Sequence, residues 1–170
     1  LLMRASAEGC TRTVTSLISL GTDINAQAND GRNALIYALE NSHTRVAQIL
    51  LKAGANTTST DQYYKSPLGL ASEKGLTEIV MALVQNGINP YAQDAGCMTP
   101  LMRASANGHV DTVNALLMAK SKYRSRLELV YRIIYGGTNV NAMNQYGDTA
   151  LTLAAKSGHL DTVKQLVLYG

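Results

Sequence analysis

Apolar residues in this chain fall into short clusters spaced three and four apart, as in Val46, Ile49 and Leu50, or Ile79, Val80, Leu83 and Val84, or Val163, Leu166 and Val167. That spacing is one face of a helix. Ahead of these clusters runs a shorter stretch of leucine and alanine: Leu68, Leu70 and Ala71 in one place, Leu151, Leu153, Ala154 and Ala155 in another. It predicts a first, shorter helix whose alanines let a neighbouring helix come close. Thr149, Thr99 and Ser66 stand where a hydroxyl can cap this helix, and Pro67 and Pro100 suit its first position because proline has no amide hydrogen to leave unpaired. Gly9, Gly75, Gly108 and Gly158 follow about seven residues after the leading leucine, where a left-handed residue ends the helix and reverses the chain. Ser42 takes that place once, so it is expected either to carry strain or to shift the stop by a residue. A further glycine, Gly21, Gly54, Gly87 or Gly137, stops the second helix, and a polar stretch through Ile24-Asn25-Ala26 or Val140-Asn141-Ala142 leads onward.

The same unit returns every 33 residues: Gly21, Gly54 and Gly87 keep that step, and Leu2 to Ala5 reads LMRA, as does Leu101 to Ala104 three periods later. Such a period marks stacked repeats, each burying its apolar side on the next. Stacks of this kind build extended surfaces rather than enclosed pockets, so binding is the expected function. One interval is longer. Leu101 and Leu151 lie 50 apart, which adds about 17 residues near the second helix of the fourth repeat. As one straight continuation they would displace the next unit by about 25 Å, so the chain must go out and come back. Val110 to Ala119 reads as the regular helix, Lys120 to Ser125 as a solvated connection and Arg126 to Tyr135 as an added helix; the two helical segments could also exchange roles.

These residues resemble the ankyrin repeat family. The likeness is carried by Thr99-Pro100-Leu101 with Ala104, Gly108-His109, Leu116-Leu117, Gly158-His159 and Gly21-Thr22-Asp23-Ile24-Asn25-Ala26, and it spans nearly the whole chain outside the insert. The 34-residue helical repeat fits less well, because its tryptophan signature is missing. The resemblance implies an all-α solenoid of helix-turn-helix repeats with short β-hairpin or loop fingers. About five repeats are expected in a single domain over 1–170, at about 1–27, 28–60, 61–93, 94–143 with the insert near 120–136, and 144–170. Several positions depart from the family pattern. Ile36, Gly69, Met102 and Thr152 replace its histidine, which puts that residue's hydrogen bonds in doubt. Tyr64 and Cys97 replace the finger glycine, with Gly96 shifted by one, so distorted fingers are expected there. Thr57, Thr58 and Ser59 alter the close of the second repeat, and Pro90 interrupts that of the third.

By the same resemblance, a partner protein would contact the finger tips and the exposed side of the first helices, which form a concave face. The tips are Asn29, Asp30 and Arg32; Gln62, Tyr63 and Lys65; Ala95 and Met98; and Gln145, Tyr146 and Asp148. The first helices would add Glu40 and Asn41, Glu73 and Lys74, Ala106 and Asn107, and Lys156 and Ser157. Tyr63 and Tyr146 are the expected anchors, since tyrosine offers apolar area and a hydroxyl together; their alternative role is packing within the finger.

Composition changes the picture little. At 170 residues and 46% hydrophobic, without Trp or Phe, the chain can fill a seam with Leu, Ile, Val and Ala. No apolar run is long enough to span a membrane and no secretory signal is visible. Cys10 and Cys97 suggest neither a disulfide framework nor a metal site, which favours a reducing, intracellular and cytoplasmic setting. Both ends of the sequence fall within repeats, as expected of a piece of a longer chain, in which a regulatory or targeting role beside a catalytic domain is the alternative. Leu1, Leu2, Val163 and Leu166 look internal. His43, His109 and His159 recur at one repeat position, which argues for structure over catalysis or metal binding, and Asp111 and Asp161 sit where a helix start favours negative charge. No phosphate loop, catalytic dyad or nucleophile motif appears, so no enzyme activity, cofactor or small-molecule substrate is expected. Lys120, Lys122, Arg124 and Arg126 form a basic patch in the insert that could meet an acidic protein, lipid or nucleic acid. The net charge of +3 gives little support to nucleic acid or membrane binding.

Overall fold

The computed structural model describes residues 1–61, 63–119 and 140–169. These form ten helices and no strand: α1 (Leu2–Ala7), α2 (Thr11–Ser19), α3 (Ala34–Glu40), α4 (Thr44–Lys52), α5 (Pro67–Glu73), α6 (Thr77–Gln85), α7 (Pro100–Ala106), α8 (Val110–Leu117), α9 (Ala150–Lys156) and α10 (Leu160–Tyr169). Each odd helix pairs with the even helix after it. The odd helices stack as one row from α1 to α9 and the even helices as a second row from α2 to α10.

Local chemistry sets the helix starts. Asn33, Ser66, Thr99 and Thr149 accept from the backbone N–H three residues on, at 3.0, 3.1, 3.2 and 3.2 Å. Each bond satisfies a donor that a helix start otherwise leaves orphaned, worth about 1 kcal/mol. The turn after each short helix is left-handed in every repeat, including the one without glycine: Ser42 has φ 59°. The serine therefore keeps the stop in place and accepts the strain.

Between the rows lies one continuous core. Leu35, Leu39, Leu68, Leu83 and Leu116 are fully or almost fully enclosed, and burial of each contributes about 1.5–3 kcal/mol. Ala38, Ala71, Ala104 and Ala154 are wholly buried where first helices meet, and a larger side chain would hold the row apart. Leu2 and Leu166 are buried and Val163 partly so, whereas Leu1 is exposed.

The helix α8 lies between α6 and α10, so the segment after Gly108 fills the regular second-helix position of the fourth repeat. The rest of the insert, with Lys120, Lys122, Arg124 and Arg126, lies outside the described residues, as do Gln62 and Gly137.

Candidate partner-binding surface

Four loops project from the first-helix row, each closed at its base by a backbone hydrogen bond spanning four residues. Ala28 donates to Arg32 O at 2.8 Å, Asp61 to Lys65 O at 3.1 Å, Asp94 to Met98 O at 3.2 Å and Asn144 to Asp148 O at 2.9 Å. The expected hairpins are thus tight loops without strands. The distortion expected at Tyr64 and Cys97 does not occur: both take the left-handed conformation of Gly31 and Gly147, with φ 59° and 56°. A side-chain clamp holds them there. Asp61 Oδ1 accepts from the N–H of Tyr63 and of Lys65, both at 2.8 Å, and Asp94 Oδ1 accepts from Gly96 and Met98 at 2.8 and 3.0 Å. These bonds offset a cost of about 1–2 kcal/mol per left-handed residue.

From the loops, charges reach back to the helices. Arg32 Nη1 lies 2.9 Å from Glu40, Lys65 Nζ 2.9 Å from Glu73 and Lys156 Nζ 2.5 Å from Asp148. The three pairs occupy the same two repeat positions, and the last reverses their signs. In the fourth repeat those positions hold Met98 and Ala106, which cannot pair, and a different cation fills the gap. Arg103 Nη1 reaches Glu73 of the preceding repeat at 2.6 Å while its other nitrogens bind Asp94. Its arm passes Gly69, where an added Cβ would sit 3.6 Å from Arg103 Cδ. That is ordinary van der Waals contact, and the glycine, standing where the repeat pattern expects histidine, leaves the path of the arm clear.

Burial pushes the Glu73 carboxyl up, but hydrogen bonding and attraction from Lys65, joined by Arg103, hold it below the ordinary glutamate value. The hydrogen bonds from Arg32 hold Asp30 below the usual carboxylate range, and the Arg32 guanidinium is pushed up chiefly by its bond to Asp30. Arg32 also lies over the Tyr37 ring, 4.5 Å from its centre.

The candidate residues thus divide. Arg32, Glu40, Lys65 and Glu73 are 19–24% exposed and engaged with one another, so these positions are used by the stack rather than left over by it. Asp30 and Asp148 are likewise paired. Met98 is partly buried against the Asn144 amide, with its Sδ at 3.4 Å. Asn29, Asn41, Lys74, Asn107 and Gln145 are exposed, and Tyr63 and Tyr146, at one loop position, are 64% and 79% exposed. Ala95 and Ser157 are exposed and Ala106 partly buried. Sequence reasoning overlooked Arg103, Asp94, Tyr37 and the exposed Tyr64. Opposite charges eight residues apart in three repeats, and Arg103 matching Arg4 in the repeated LMRA, were the available signals.

Histidine supplies bonds between repeats from a different position than the pattern suggests. The Nε2 atoms of His43, His109 and His159 meet the backbone carbonyls of Ala7, Glu73 and Ala106 at 3.0, 2.9 and 3.1 Å. Ser59, one of the altered residues at the close of the second repeat, is buried and accepts from Gln27 and Asn33 at 3.1 and 3.2 Å. That departure ties two repeats together.

Among the described residues no group of acidic, histidine or cysteine side chains could hold a metal, and no helix is long and apolar enough to cross a membrane. A family model described as ankyrin repeats, three copies, matches residues 2–94, 54–125 and 117–170. No curated protein matches the chain.

Proposed function

Because the chain belongs to the ankyrin repeat family, whose repeats generally mediate protein–protein interaction and are typically non-catalytic, we propose that it is one interaction domain that binds a partner protein through its finger tips and first helices. The observation that carries this is the pair of tyrosines at one finger position, Tyr63 and Tyr146, standing clear of the stack. Each presents a rigid ring and a hydroxyl, the combination that dominates binding hot spots. The ion pairs behind them fix the loops, so little freedom is lost on binding. A cytoplasmic site of action is supported by two free cysteines, Cys10 and Cys97. The basic insert lies outside the described residues and adds no support for an anionic partner.

The test is affinity capture with the chain as bait beside two variants, Tyr63→Ala/Tyr146→Ala and Arg45→Ala/Lys164→Ala, the second pair lying on the second-helix row. A partner lost only with the tyrosines supports the finger side. A partner lost only with the second pair places binding elsewhere and rejects it.

A further inference from the structure

The finger side carries many charges, most of them paired within the chain. Its three intrarepeat pairs neutralise one another, and Arg103 takes up the remaining carboxylate of Asp94 while sharing Glu73 with Lys65. Asp94 and Arg103 are only 7% and 14% exposed in their side chains. Outside this arrangement, among the described residues of the first-helix row, Arg4 and Glu8 of α1 pair with each other at 2.9 Å while staying exposed, and Lys74 is an exposed cation. What stands out instead is uncharged: Tyr63, Tyr64 and Tyr146, and the amides of Asn41 and Asn107 at one repeat position. Those two amides donate Nδ2 to Tyr37 O and Arg103 O at 2.9 and 2.8 Å, which fixes each group and turns its oxygen into an oriented acceptor.

Resting on the finger side as the binding face, we propose that this surface selects an uncharged stretch of partner polypeptide, carrying apolar side chains for the tyrosines and N–H donors for the asparagines. A charged stretch is rejected for a physical reason. Its charge would lose water on docking and, Lys74 apart, find the local counter-charges already satisfied, so it would be buried unpaired or would have to break an internal pair. Discrimination of that kind rests on the cost imposed on the wrong partner.

The probe is a phage-displayed library of random peptides, panned on the 170-residue chain and re-tested on Tyr63→Ala/Tyr146→Ala, whose melting is checked against the parent. The expected peptides are close to neutral, change affinity by less than about threefold between roughly 0.05 and 0.5 M NaCl, and weaken at least about tenfold on the variant. Enriched peptides that need the tyrosines but are strongly charged, with affinity falling more than about tenfold over that salt range, overturn the selectivity and leave the binding face standing. Peptides indifferent to the tyrosines overturn both. No enrichment at all overturns the selectivity too.

Discussion

The imidazole of His109 lies over Gly75, so that a Cβ built on the glycine would come 2.6 Å from Nδ1. His43 covers Gly9 and His159 covers Gly108 in the same way, at 2.6 and 2.5 Å. Each ring also meets a carbonyl at the end of the first helix that it covers. The repeat that breaks the glycine rule at Ser42 is followed by the one that breaks the histidine rule at Leu76. With no imidazole above it, the turn has room for a side chain and bears only its backbone strain.

Gly75→Ala adds a clash to an unfavourable left-handed alanine, and it should destabilise the chain by about 2 kcal/mol or more. Ser42→Gly should do the opposite, raising stability by about 1 kcal/mol. Urea denaturation of the two variants checks both signs.

The pairing of Ser42 with Leu76 predicts coupling. Leu76→His alone should destabilise, because the new ring meets the serine side chain, and Ser42→Gly in the same chain should recover more than its single effect. A double-mutant cycle is expected to give about 1 kcal/mol or more of interaction; additivity within error would show that the two sites are independent.

Glu73 makes stability depend on pH. Its folded carboxyl lies below the ordinary value that it regains on unfolding, so the folded state binds fewer protons. The resulting stabilisation is complete above the unfolded value and fades as pH falls through the folded one. At pH near 7, Glu73→Gln should cost about 1–2 kcal/mol, and the gap to the parent should close in acid. Melting curves from neutral to acidic pH test this, and a gap that stays constant would dismiss the role of the charge.

Asp94 clamps a loop through two backbone bonds and anchors Arg103. Asp94→Ala should therefore destabilise by about 1–3 kcal/mol, and adding Cys97→Gly should return about 1 kcal/mol by removing the strain that the clamp offset. Thermal unfolding of the single and double variants measures the recovery.

Much of the architecture was legible because it depends on neighbours in sequence. Caps three residues ahead of their acceptors, turns closed by glycine and apolar positions at helical spacing are local, so repetition made them plain at Ser66, Thr99 and Thr149. Ser42, Tyr64 and Cys97 were recognisable as departures, but how the chain would absorb them was not. That answer lay in side chains placed by the fold, the Asp61 and Asp94 carboxylates above all. The surface was harder still. Repeat position correctly marked Tyr63 and Tyr146 as exposed, but it also marked Arg32, Lys65 and Glu73, which are bound to partners within the chain.

The amino-acid order alone determined the repeat, its period and the apolar seam, since each is written in residues a helical turn or one repeat apart. Only stacking decided which charges meet. Glu73 and Arg103 lie 30 residues apart and come within 2.6 Å because the packed first helices bring them together. The attraction falls away with distance and water between the groups, so no local pattern could assign it before the repeats were in place.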